Sequence, residues 1–96
     1  MNTADALRLS EAIQEKRIIT FRYKDVERVV HPHILGVAGE GHVAMSGWQI
    51  SGTGRGWRLF YLLDMGRLEI ADRTFRTSGP GYNPDDPAFN EIFVRV

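Results

Sequence analysis

The feature that most limits what this chain can fold into is a change of hydrophobic period near Arg17. Through residues 3 to 17, Ala6, Leu9, Ala12 and Ile13 recur at helical spacing, while Arg8, Glu11, Glu15 and Lys16 lie largely off that stripe. Thr3 or Asp5 can cap the segment, and neither Gly nor Pro interrupts it. Beyond Arg17 the period drops to two. In Ile18-Ile19-Thr20-Phe21-Arg22-Tyr23-Lys24 the residues Ile19, Phe21 and Tyr23 share one face, as in a strand half buried against a core. A helix followed by strands within 96 residues leaves room for one hydrophobic core, because so short a chain cannot sustain two.

The remaining segments are short and turn-bounded. Lys24-Asp25-Val26-Glu27 is expected to be a hairpin turn and Arg28-Val29-Val30-His31 a second strand. Pro32 has no N–H for a ladder, so it marks a strand end, a bulge or an edge position. Three glycines from Gly36 to Gly41 predict the next turn, His42 to Ile50 a third strand, and Ser51-Gly52-Thr53-Gly54-Arg55-Gly56 a flexible loop. Trp57 to Leu63 reads as a fourth strand and Leu68-Glu69-Ile70 as a short fifth. After Arg76 turn residues dominate. Asn83-Pro84-Asp85-Asp86 fits an N-cap, a first-turn Pro and acids at the positive end of one helical turn through Phe89. Tyr82 and Phe89 are the expected anchors of this arm, and Glu91 to Val96 alternates as a terminal strand. The expected fold is α+β: an N-terminal helix over a small, strongly bent SH3-like or Sm-like β-barrel. Its expected divisions are one domain with the helix at 3–17, barrel strands at 18–72, a turn-rich arm at 77–90 and a last strand at 91–96.

Composition removes several classes of function. The absence of Cys rules out disulfide scaffolds, thiolate catalysis and the common zinc fingers. No run of 18 apolar residues occurs, and Met1-Asn2-Thr3-Ala4-Asp5 does not begin a signal peptide, so no membrane span is expected and the cytoplasm is the expected location. Twelve basic and twelve acidic side chains balance, which argues against a protein that coats DNA by neutralising many phosphates. Ten of the twelve cations are Arg, the residue suited to bidentate phosphate or carboxylate binding. A GC-rich genome produces the same bias.

The stretch Leu9 to Gly36 (LSEAIQEKRIITFRYKDVERVVHPHILG) resembles the opening of the WYL domain, a bacterial regulatory module. The matching elements are the helix ending in Ala12-Ile13, the strand Ile19-Thr20-Phe21-Arg22-Tyr23, and Arg28-Val29-Val30-His31-Pro32 leading to Leu35-Gly36. Farther along, Arg58-Leu59-Phe60 followed by Leu62-Leu63-Asp64-Met65 resembles the family's strand with an Arg, one residue, then Phe. Where the family's Trp-Tyr-Leu triplet would open the third strand, this chain has His42-Val43-Ala44, and the family's second Arg near Asp64 is missing. The resemblance implies an Sm-like barrel that binds a ligand, such as a nucleotide or single-stranded nucleic acid, and signals to another domain. For this chain that means a stand-alone module acting on a partner protein. It also implies a basic pocket at Arg28 and Arg58, with His31 and Phe60 from the same matching segments beside it.

Each candidate also has a plainer reading. An Arg on a strand can present its planar fork to an anion, or it can lie solvated or pair with Glu27 or Asp64. Arg55, in the glycine-rich loop, can close over a ligand, although the loop is no P-loop because a strand follows it. Trp48 and Trp57 offer either a stacking platform for bases or a core or subunit interface, the latter compatible with a homodimer that takes no ligand. His31, His33 and His42 invite a metal, but Pro32 distorts the strand where the geometry must hold, and no metal or other cofactor is expected. No nucleophile motif or acid pair marks a catalytic site, and a non-enzymatic role is expected.

Overall fold

A computed structural model describes residues 3–96, the side chain of Thr3 excepted. Helix α1 (Thr3–Gln14) is followed by strands β1 (Arg17–Tyr23), β2 (Val26–Ala38), β3 (His42–Ser51), β4 (Gly56–Tyr61), β5 (Met65–Thr74) and β6 (Phe89–Arg95), with a single 3-10 turn at Leu62–Asp64 between β4 and β5. The strands form one antiparallel sheet in the order β4-β3-β2-β1-β5, and β6 pairs with β2. The class is α+β.

The long strand β2 gives the sheet its shape. Its first half, from Val26 to Val30, pairs with β1, and its second half, from Ile34 to Ala38, pairs with β6. Along nearly its whole length it also pairs with β3. The change of partner falls at Pro32 and His33, between the β1 and β6 ladders. A proline that cannot donate is tolerated where one ladder ends and another begins. The β3 register skips His33 between Pro32 and Ile34, so of the three roles open to Pro32 the bulge is the one found, within a continuous strand rather than at its end.

The inner face of the sheet carries the main core. Leu9, Ala12 and Ile13 of α1 pack with Ile19, Phe21, Tyr23, Val30, Leu35, Met45, Phe60, Leu62, Met65 and Leu68. The helical stripe and the β1 alternation read from the sequence therefore face this core. Ile34, Ala38, Ala44 and Phe89 form a second apolar cluster, against which Tyr61, Tyr82 and Ile92 pack. Residues 75–88 run across this other face as an arm, so the sheet is covered on both sides.

Several expected boundaries move. The helix stops at Gln14 and not at Arg17, because Lys16 turns the chain with φ 56°. The Asp5 carboxylate accepts a hydrogen bond from Arg8 within the first turns, and a Thr3 cap lies outside the described side chains. The β1–β2 hairpin turns on Lys24 and Asp25 alone, both at positive φ, so β2 begins at Val26. Gly36 is inside β2, and the turn is left to residues 39–41. Leu62 and Leu63 leave the fourth strand for the 3-10 turn, and the fifth strand runs for ten residues where only its apolar centre was evident. Asn83 and Asp86 do not start a helix. Each side chain accepts from the backbone N–H two residues on, at Asp85 (3.0 Å) and Ala88 (2.9 Å), giving two successive Asx turns, after which β6 starts at Phe89. The sheet also stays open, since β4 and β5 are not paired. Across the gap the backbone N–H of Tyr61 donates to the hydroxyl of Tyr23 (3.1 Å).

Candidate anion site and the strapped aromatic face

Arg28 points to the inner face of β2, the same side as Val30, and is only 6% exposed. Its Nη1 donates to Gln49 Oε1 and Thr53 Oγ1, both at 3.1 Å, and its Nη2 donates to the carbonyl of Tyr23 at 3.1 Å. The guanidinium carbon lies 5.6 Å from the Tyr23 ring centre and 5.9 Å from that of Phe60. Its Nε is buried with no hydrogen-bond partner. Among the described residues no carboxylate pairs with it; the ion pairs present involve Arg8, Arg17 and Arg95. A buried charge is usually paired, because removing an ion from water is costly. Here dipoles and aromatic faces alone hold it.

Arg58 approaches the same loop from β4. Its Nη1 donates to the carbonyl of Trp57 (2.9 Å), and its Nη2 donates to the carbonyls of Thr53 (3.5 Å) and Gly54 (3.2 Å). Gln49, with 0% exposure, completes the arrangement, since its Nε2 donates to Thr53 Oγ1 (3.1 Å) and the Gly54 carbonyl (2.6 Å). Thr53 and Gly54 thus sit where Arg28, Gln49 and Arg58 converge. Gly52, Gly54 and Gly56 have φ of 137°, 105° and 147°, which L side chains rarely adopt, so the loop turns on glycine hinges.

The other members of the expected ligand set are scattered. Phe60 is a core residue, packed edge-on against Phe21 at 4.8 Å and Tyr23 at 4.9 Å. Arg55 is exposed in the loop. His31 faces the arm, its ring stacked on Phe75 at 4.5 Å and 3°. Burial and the neighbouring Arg73 lower its pKa below 6.5. The three histidines do not converge: His31 and His33 both lie against Phe75, and His42 rests against Tyr61. Among the described residues no group of three or more His, Asp or Glu could hold a metal. No described helix is long and apolar enough to cross a membrane.

Trp48 and Trp57 are opposed across β3 and β4 and meet edge to face at 5.5 Å. The chain's own arm lies against both rings, which stay partly exposed. Trp57 Nε1 donates to the Pro80 carbonyl (2.6 Å), and its ring stacks on Tyr82 at 5.8 Å. Gly79 is wedged between the indoles, where a Cβ would lie 2.9 Å from Trp57 Cζ2 and 3.0 Å from Trp48 Cβ. Gly79→Ala is therefore expected to lift the arm and cost about 2 kcal/mol, within the usual range for overpacking. A fall in melting temperature with a rise in iodide quenching of tryptophan fluorescence checks this.

Sequence reasoning missed Gln49, Thr53 and the buried His33, whose Nε2 accepts from the backbone N–H of Gly79 in the arm (3.1 Å). Gln49 was legible in part, because it shares the inward parity of Met45. Thr53 carried no signal, since its importance comes only from the folding-back of the loop. Comparison with models of known families, with curated proteins and with solved structures finds no match to this chain.

Proposed function

We propose that this chain is a non-enzymatic ligand-sensing module of the WYL kind, which binds an anionic small molecule, a nucleotide or a nucleic-acid end and acts on a partner protein in the cytoplasm. The observation that carries this reading is the buried, carboxylate-free guanidinium of Arg28, with its unpartnered Nε. An anion is the group that this cluster of donors lacks. Arg28, Gln49 and Arg58 donate instead to Thr53 and Gly54, neutral acceptors on a hinged loop that a phosphate or carboxylate would displace. The finer fold belongs to the same reading. The strand order, the β2 strand shared by three partners and the 3-10 turn between β4 and β5 support reading the open sheet as a small bent barrel of the SH3 or Sm kind, with α1 against it.

A thermal-shift screen of nucleotides, cyclic dinucleotides and short oligonucleotides tests the reading. A bound anion at a hundred times its Kd adds about 2.7 kcal/mol of stability, or roughly 11–22 °C in a domain of this size. Arg58→Ala removes a half-exposed side chain, keeps the fold and is expected to lose the shift; Arg28→Lys is expected to weaken it. Equal shifts in wild type and Arg58→Ala, or no response to any anion, would overturn the assignment. A second reading, a homodimer without a ligand, draws on Leu63, exposed beside the unpaired edge of β4, and on Phe93, 53% exposed on β6. Sedimentation at a monomer mass across micromolar concentrations removes it.

A further inference from the structure

We propose that the arm at residues 75–88 is a strap held closed by neutral His33 and opened when His33 takes up a proton. His33, the bulge residue of β2, is 0% exposed. Its Nδ1 lies 2.7 Å from the His31 carbonyl, an oxygen that can only accept, and the backbone N–H of Gly79 donates to its Nε2 (3.1 Å). One tautomer satisfies both contacts: Nδ1 carries the hydrogen and Nε2 offers its lone pair. The imidazolium cannot, because a proton on Nε2 would face the Gly79 N–H.

The strap gathers around this ring. Trp57 lies edge-on at 4.8 Å, Phe75 stacks at 5.1 Å and Tyr82 tilts at 4.9 Å, while the His33 carbonyl accepts from the Val96 N–H (3.0 Å). The titratable and charged groups nearby offer a cation little. His31 lies on the same strand, with Arg73 of β5 acting on it, and Tyr82 comes from the arm with Arg95 and Asp85 around it. Tyr82 is itself held neutral, its pKa raised by burial, with its hydroxyl donating to the main-chain oxygen of Val96 (3.3 Å). Asp85 is paired with Arg95 at 3.7 Å. Opening would uncover Trp48, Trp57, Ile34 and Ala44 while α1 and the inner core stay in place.

The sign follows from burial, which lowers the His33 pKa in the closed state below the ordinary 6.5. The opened state therefore binds more protons between that lowered value and 6.5, and closure weakens as pH falls through this window. One proton taken up on opening raises the opening constant by up to tenfold per pH unit.

Amide exchange on the full chain tests this, with Gly79 reporting the strap and Ile19 the core. The Gly79 protection factor is expected to fall with pH below 6.5, by up to tenfold per pH unit, while that of Ile19 holds. His31→Phe keeps a ring on Phe75 and should behave as wild type; His33→Gln should be flat with pH. Should His33→Gln fail to fold, the imidazole nitrogen shifts of wild-type His33 serve instead and must titrate together with the Gly79 exchange. The proposal is overturned by a flat wild-type profile, by the same fall in His33→Gln, by its loss in His31→Phe, by Ile19 falling in step, or by His33 titrating apart from Gly79.

Discussion

Gly36→Ala is expected to remove about 3 kcal/mol of stability, near the upper end for overpacking a well-filled site. Gly36 lies in β2 between Ala44 of β3 and Ile92 of β6. A Cβ there would overlap the carbonyl oxygen of Glu91 and come within 3.0 Å of the Ile92 Cα. Both obstacles are backbone, so no side chain can turn aside and β6 itself must move off β2. Phe89, Ile92 and Val94 would then lose their packing, the first two from the outer cluster and Val94 from the main core. A domain of this length has a total stability of only about 5–14 kcal/mol, and the loss corresponds to a fall of roughly 12–24 °C in Tm. Gly66→Ala is the control. Its added Cβ meets nothing nearer than 4.0 Å, so its change should stay within about 1 kcal/mol. If the two variants melt together, close approach of β6 is not what Gly36 provides.

Phe60→Ala is expected to cost more, about 3–5 kcal/mol. Phe60 is the part of β4 that reaches inward, and its ring meets Phe21 and Tyr23 of β1, a strand with which β4 is not paired. The aromatic trio thus joins two strands across the sheet's interior, and removing one ring leaves a cavity that β-ladders hold open. Urea unfolding should show a lower midpoint with an unchanged slope, since the surface exposed on unfolding is nearly the same. Phe60 also lies beneath Arg28, so the variant should loosen the 52–56 loop. A loss below about 1.5 kcal/mol would mean that the core closes over the gap.

The elements legible in the sequence were those with a strong local period. Leu9, Ala12 and Ile13 on α1, and Ile19, Phe21 and Tyr23 on β1, are buried as their spacing requires. Boundaries were legible only where a local device set them. Lys16, Lys24 and Asp25 adopt positive φ without being glycine, so the helix end carried no clear mark, and the first hairpin turn, expected at residues 24–27, gave no sign that it would close on two residues. Asn83 and Asp86 carried a mark that two structures share, since an Asx turn and a helix N-cap use the same side-chain oxygen.

The candidate site divides in the same way. Arg28 and Arg58 stand out in the sequence as cations on predicted strands, and both donate to Thr53, Arg58 to Gly54 as well. Gln49 and Thr53 join them only because the glycine-hinged loop folds back over β3, a contact no spacing encodes. Trp48 and Trp57 read equally well as a stacking platform or an interface. Packing of the arm decides their partner in this state, which is Gly79-Pro80 of the same chain.

By itself the sequence determined a helix followed by short strands and the absence of thiol chemistry, because period and composition act through near neighbours. Only the tertiary structure decided that the sheet is open, that Arg28 is buried without a counter-ion, and that a bulge at His33 pins an arm over two tryptophans. These depend on which strand ends meet across the fold, and β2 sets those meetings by changing partner at Pro32, where a missing N–H lets one ladder stop and another start.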